Sequence, residues 1–360
     1  SQCIEQLGGE VNASTSEEST FLYSKVLQKN AESAIEVLFD MLYNSLFRIE
    51  DITREKGIVM EEINKFQDIP EEWIGELINQ LIWENTPLGQ SVLGEKDTVK
   101  QFERSDILRY FKQMYQPDNI VVAVTGQISR DRVEKMSWLF DYLPEESAML
   151  KRPIVKPIKQ TAAKVKIIPK KVNQAHICFG FEGVSRFDHA KIVMDLMNIV
   201  LGAGLSSRLF QEIRVKKGLA YDIHSYVQYY HSTGSFNIYA GVDPKNLEQS
   251  LLSILMELKK MKEIPLPKAE LEKAKEMFKA GLILGLEKTL GQALRLSSYR
   301  LLYQKNYDYQ AIIGQINRVK AADIQRLAQQ ILQKNKINLV IYCPREQPFS
   351  EKNIRTTMKL

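Results

Sequence analysis

The chain of 360 residues is too long for one ordinary domain and suits two of about 180 each. A hydrophobic fraction of 44%, a charged fraction of 26% and only 18 Gly and 12 Pro exclude a disordered, collagenous or membrane-spanning chain. The net charge of +5 is a small difference between 49 basic and 44 acidic residues spread along the chain, so it makes no electrostatic case for nucleic acid.

In chain order, "SQCIEQLGG" reads as a helix ending on two glycines. "GGEVNASTSEEST" at 8–20 then offers small, polar, strand-compatible residues. A flat edge strand poor in bulk is what β-augmentation by an extended peptide requires, and a plain surface hairpin reads the same way. "FLYSKV" is strand-like, helical stripes run over 31–48, 53–68, 72–83 and 104–115, and "NIVVAV" closes this half as a strand. A lysine-rich stretch with Pro153 and Pro157 over 148–162 reads as a linker. Two strand-like runs, including "AHICFGF", and a helix at 187–201 fill roughly 163–205. Helices at 206–217, 246–261, 268–288 and 321–333 alternate with "YDIHSYVQYY", "FNIYAGV" and "INLVIY". This mixture of periods predicts an α+β fold of sheet-and-helix layers.

The chain repeats itself. A shift of 216 lays Tyr23–Asn30 on Tyr239–Asn246, and a shift of 217 matches Asp106, Arg109, Gln113 and Gln116 to identical residues. The repeat predicts two homologous domains, 1–147 and 163–360. The second copy opens with about forty residues, over 163–205, that have no counterpart in the first. The first copy is therefore expected to lack its opening strands and helix, leaving the chain N-terminally incomplete.

Two sets of residues carry chemical signals. On the helix over 51–68, Ile52, Ile58, Val59, Ile63 and Phe66 define an apolar arc, and Glu55 and Glu62 fall between Ile58 and Phe66. Two carboxylates on an apolar face call for a metal, a cation or a proton role, unless they lie at a helix edge and reach solvent. Their counterparts in the second copy are Ala274 and Gly281, so the fold itself does not require them. Next, Arg214 and Tyr221 flank a helix-to-strand corner at Gly218, where a guanidinium and a phenol could bind a carbonyl or oxyanion, or simply be a solvated Arg and a strand Tyr. Finally, His176, His189, His224 and His231 form no metal motif and read as ordinary strand and helix residues. Cys3, Cys178 and Cys343 show no paired spacing, which favours a reducing compartment, cytoplasm or organelle matrix.

Taken together, "LGGEVNASTSEEST", "EKGIVMEEI", "TPLGQSVLG", "QPDNIVVAVTG" and "GLSSRLFQEIRVKKGLAY" resemble the pitrilysin/insulinase family of zinc metallopeptidases, in the branch of the processing peptidases. The resemblance implies a duplicated fold and a zinc endopeptidase that cleaves extended peptides or presequences in an enclosed chamber, as a homo- or heterodimer with a related subunit and without membrane or nucleic-acid partners. It makes Glu62 a zinc ligand and Glu55 the acidic residue that supports it. Asn12, Ala13 and Ser14 become the strand that binds substrate backbone, and Arg214 and Tyr221 the pair that steadies substrate. The family's H-x-x-E-H segment would fall in the block without a counterpart, so the remaining zinc ligands are expected upstream of Ser1 and this stretch is expected to be inactive alone. The alternative is a non-catalytic, peptide-binding subunit of a heteromeric processing peptidase.

Overall fold

The computed structural model describes residues 2–142, 154–155, 159–344 and 350–358. Most of the linker expected over 148–162 lies outside the described residues. In chain order the elements begin with α1 (Gln2–Gln6), β1 (Glu10–Thr15), β2 (Thr20–Lys25), α2 (Ala31–Tyr43), α3 (Ile49–Asp68) and α4 (Pro70–Ile82). They continue with α5 (Lys96–Gln101), α6 (Arg104–Met114), α7 (Arg130–Lys135), β3 (Lys164–Lys170), β4 (Ala175–Glu182) and α8 (Lys191–Leu201). A π-helical segment (Phe210–Lys216) precedes β5 (Ala220–Tyr229), β6 (Gly234–Val242), α9 (Leu247–Glu263) and α10 (Lys268–Leu284). The chain closes with α11 (Thr289–Tyr303), α12 (Tyr309–Arg318), α13 (Ala321–Ile331), β7 (Asn338–Pro344) and α14 (Glu351–Met358). The α+β expectation is met.

Two compact units form, and they cut across the two sequence copies: residues 1–63, 92–153 and 282–308 make one, and 64–91, 154–281 and 309–360 the other.

The second unit is built on a five-stranded sheet in the order β3-β7-β4-β6-β5, with β3 and β7 parallel and the other neighbours antiparallel. Side chains of a strand alternate between faces, which fixes what each face presents. One face carries Phe179, Phe181, Ile223 and Ile238, all buried. On that side α8 lies against β5, where Ser225 Oγ donates to Asn198 Oδ1 at 2.6 Å, and α13 packs on both α8 and α9. The opposite face, with Cys178, Gly180, Tyr226 and Tyr239, is covered by α4. Its apolar residues Ile74, Leu77, Ile78 and Ile82 follow a helical spacing, and all four are buried against Cys178, Val340 and Tyr342. Pro70 opens α4 at a position where no amide hydrogen is needed.

The first unit holds the antiparallel β1–β2 hairpin, with α2 packed on β2. Side chain-to-backbone bonds tie it together: Asn30 Nδ2 donates to Leu7 O at 2.7 Å, Arg104 Nε to Phe47 O at 2.8 Å and Thr125 Oγ1 to Thr289 O at 2.7 Å. "NIVVAV" forms no strand, contrary to the sequence expectation. Extended backbone becomes sheet only where a neighbour accepts its ladder, and among the described residues the strands of this unit, β1 and β2, pair only with each other. The stripe expected over 268–288 ends at Leu284, and α11 and α12 follow without having been anticipated.

Candidate functional site

β1 presents a nearly bare strand. Asn12, Ala13 and Ser14 are all exposed, and among the described residues β1 pairs only with β2. Alternate residues of an antiparallel strand aim their N–H and C=O to opposite sides. The Ala13 N–H donates to the side chain of its own neighbour, Asn12 Oδ1, at 2.8 Å. It therefore faces the free edge, where a side-chain amide stands in for the carbonyl of a further strand.

The sequence leaves Glu55 and Glu62 either on an apolar face or at a helix edge, and the structure shows the edge. Both carboxylates are exposed on α3. Of the expected apolar arc only Ile63 is buried, while Ile58 is 45% exposed. With neighbours covering one side alone, the arc's margin opens to solvent, and the carboxylates need no buried partner. Among the described residues neither belongs to any group of three converging metal-ligating side chains. Glu62 can give a metal one oxygen. A catalytic zinc needs about three protein ligands, so Glu55 and Glu62 do not by themselves fit a resident zinc.

Arg214 sits in the π-helical segment, exposed, with its guanidinium 5.0 Å above the Phe210 ring. π-turns are uncommon and gather at functional sites. The helix ends where Gly218 turns left-handed, at φ +63°, letting the Leu219 N–H return to Ile213 O at 2.9 Å. β5 then begins with a bulge: Ala220 pairs with Val242 and Asp222 with Gly241, leaving Tyr221 as the extra residue. A bulge re-aims its side chain out of the pleat, and Tyr221 is accordingly 57% exposed. The guanidinium and the phenol are thus both presented to solvent around one corner of the second unit.

One constellation escaped the sequence reading. Glu71 on α4 and Asp222 and His224 on β5 bring ligand atoms within 4.8 Å of one another. His224 Nδ1 lies 3.2 Å from Asp222 Oδ2. Tyr239, directly across from His224, is buried, and its phenol meets His176 Nδ1 at 2.9 Å. Burial, and then the charges of Glu71 and Asp222, push the Tyr239 phenol up. Burial alone pushes His176 down, so it stays neutral. The available signal was the D-x-H spacing in "AYDIHSY", which puts both side chains on one face of a strand.

Residues 1–96 match the family described as Insulinase (Peptidase family M16), and residues 101–278 match Peptidase M16 inactive domain. The uncharacterized zinc protease YmxG of Bacillus subtilis (strain 168) is 34% identical over 333 residues, covering 92% of this chain and 80% of that protein. The uncharacterized zinc protease SCO5738 of Streptomyces coelicolor is 33% identical over 341 residues, covering 92% of this chain and 73% of that protein. In fold alone, a crystal structure of a protease from Helicobacter pylori is similar with a TM-score of 0.86 at 24% identity, covering 95% of this chain and 84% of that one.

Proposed function

The chain belongs to the peptidase M16 (insulinase) family, and from that premise we propose that it serves a zinc-dependent endopeptidase by holding extended peptides or presequences on β1. The observation that carries this reading is the Ala13 N–H, turned to a free edge and capped only by Asn12 Oδ1. An incoming strand replaces that amide oxygen with its own carbonyl and continues the ladder along Asn12–Ser14, so affinity comes from main chain and tolerates varied sequences. Arg214 and Tyr221 have the chemistry to donate to a peptide carbonyl or to an oxyanion.

When bound, zinc supplies a Lewis acid and an activated water to such enzymes. Of the described residues, Glu62 is assigned one ligand oxygen and Glu55 its support. No reaction step is assigned through the metal, because no described side chains converge with Glu62 to complete its site. Pairing with a related subunit, an enclosed chamber, the homologous halves 1–147 and 163–360, and a reducing compartment belong to the same proposal. The last is supported by three free cysteines. Among the described residues no helix is long and apolar enough to cross a membrane.

Fluorescence anisotropy with a labelled, extended basic peptide tests the reading. Saturable binding is expected, weakened about tenfold by Ala13→Pro, which deletes the outward N–H without removing a bond to β2. Equal affinity in A13P, or no binding, overturns it.

A second reading, a non-catalytic peptide-binding subunit, is favoured by the match of 101–278 to the inactive domain. An internally quenched peptide given to the full-length gene product separates the two. Cleavage abolished by a chelator supports the enzyme, and binding without cleavage supports the subunit.

A further inference from the structure

We propose that Glu71, Asp222 and His224 form a binding site for a divalent transition-metal ion on the second unit. β5 sends Asp222 and His224 out of the same face of the sheet, and Glu71 reaches them from the first turn of α4, which covers that face. All three donors converge within 4.8 Å, close enough to share one ion.

The charges around the group call for a cation. Several other carboxylates of this unit have basic partners: Glu270 with Arg208, Glu212 with Lys216, Glu257 with Lys260, Glu272 with Lys275. Glu71 and Asp222 have no lysine or arginine partner among the described residues. Asp222 pairs only with His224, and Glu71 has no ion-pair partner among the described residues. Two carboxylates this close repel unless a cation or proton stands between them. The floor beneath them supplies neither. Tyr239 is 4% exposed, its ring centroid lies 5.2 Å from that of His224, and its hydroxyl is engaged with the neutral His176. A compensating cation can enter from the solvent side, where Glu71 is exposed.

The donor set chooses the metal. Two carboxylates and an imidazole suit zinc, cobalt, nickel or manganese, whereas magnesium and calcium favour oxygen alone. Three protein donors leave further positions to water, so the ion is exchangeable.

Cobalt titration of the whole chain, after treatment with a chelator and dialysis, reads this directly through visible d–d absorption. One saturable site per chain is expected, displaced by zinc and not by excess magnesium. His224→Ala and Glu71→Gln should each weaken it about tenfold or more. Glu71 is an exposed first-turn residue, so E71Q tests the donor in a chain whose thermal unfolding should match the unsubstituted one. The proposal is overturned by an absence of saturable cobalt binding. Binding that survives both substitutions, or that disappears in Glu62→Gln instead, overturns it equally.

Discussion

Gly180 lies directly beneath Ile78: a Cβ on Gly180 would stand 2.5 Å from Ile78 Cγ1 and 2.7 Å from Ile82 Cδ1. Bare backbone at the middle of β4 is what lets α4 settle onto the sheet and bring Glu71 over β5. Gly180→Ala should therefore lower unfolding free energy by about 1–3 kcal/mol, through overpacking against two buried isoleucines. Urea unfolding followed by tryptophan fluorescence reads the change. An unaltered midpoint would mean that α4 does not sit on that face.

Glu55 and Glu62 separate stability from chemistry. Both are exposed and unburdened by packing, so Glu55→Gln and Glu62→Gln should shift unfolding by no more than about 0.5 kcal/mol. In the full-length gene product, E62Q should abolish chelator-sensitive cleavage, while E55Q should reduce it about 10–100-fold. Full activity in E62Q would remove Glu62 from the metal's ligands.

At the corner of the second unit, Tyr221→Phe removes only a hydroxyl. Its exposure and its place in a bulge predict unchanged thermal stability. If the phenol steadies an oxyanion, kcat of the full-length gene product should fall about 10²-fold with little change in KM. Arg214→Ala should raise KM if the guanidinium holds ground-state carbonyls. Its loss from the Phe210 ring should cost about 0.5–1 kcal/mol of stability.

His176 gives a pH signature of folding. Burial holds its folded pKa below the ordinary 6.5, so the unfolded chain binds this proton more readily. Stability is then complete above about pH 6.5 and is lost as pH falls from there toward the depressed folded value. Its ring meets the Tyr239 phenol and pairs across from Tyr342, and among the described residues no carboxylate is hydrogen-bonded to it to reverse the sign. Unfolding midpoints at pH 7.5, 6.5 and 5.5 should decline, and His176→Gln should remove part of that decline. An identical slope in the variant would assign it to other groups.

Where sequence and structure agree best, the strand is largely buried. β4, β5, β6 and β7 were legible because apolar runs bounded by turns have few other fates. "NIVVAV" has the same composition and no strand, because strandedness depends on a partner and not on propensity. α11 went unread because "TLGQALRLSSYRLLY" carries a glycine and two serines and buries no residue fully, so its stripe is weak. Glu55 and Glu62 are legible as one stripe of a helix but not as buried or exposed, since periodicity gives direction and says nothing of what lies opposite. Glu71 could not be joined to Asp222 and His224 from sequence at all. Their meeting depends on α4 crossing a sheet whose strands come much later in the chain.

The division of the chain into two interleaved units sets an order for synthesis. The first unit includes 282–308, so residues 2–63 cannot meet their last partners until that segment has been made. The second unit likewise closes only with β7, its second strand in space and its last in sequence. Neither unit can be excised as a single contiguous fragment, and a chain that stops before residue 282 would leave both without their final pieces.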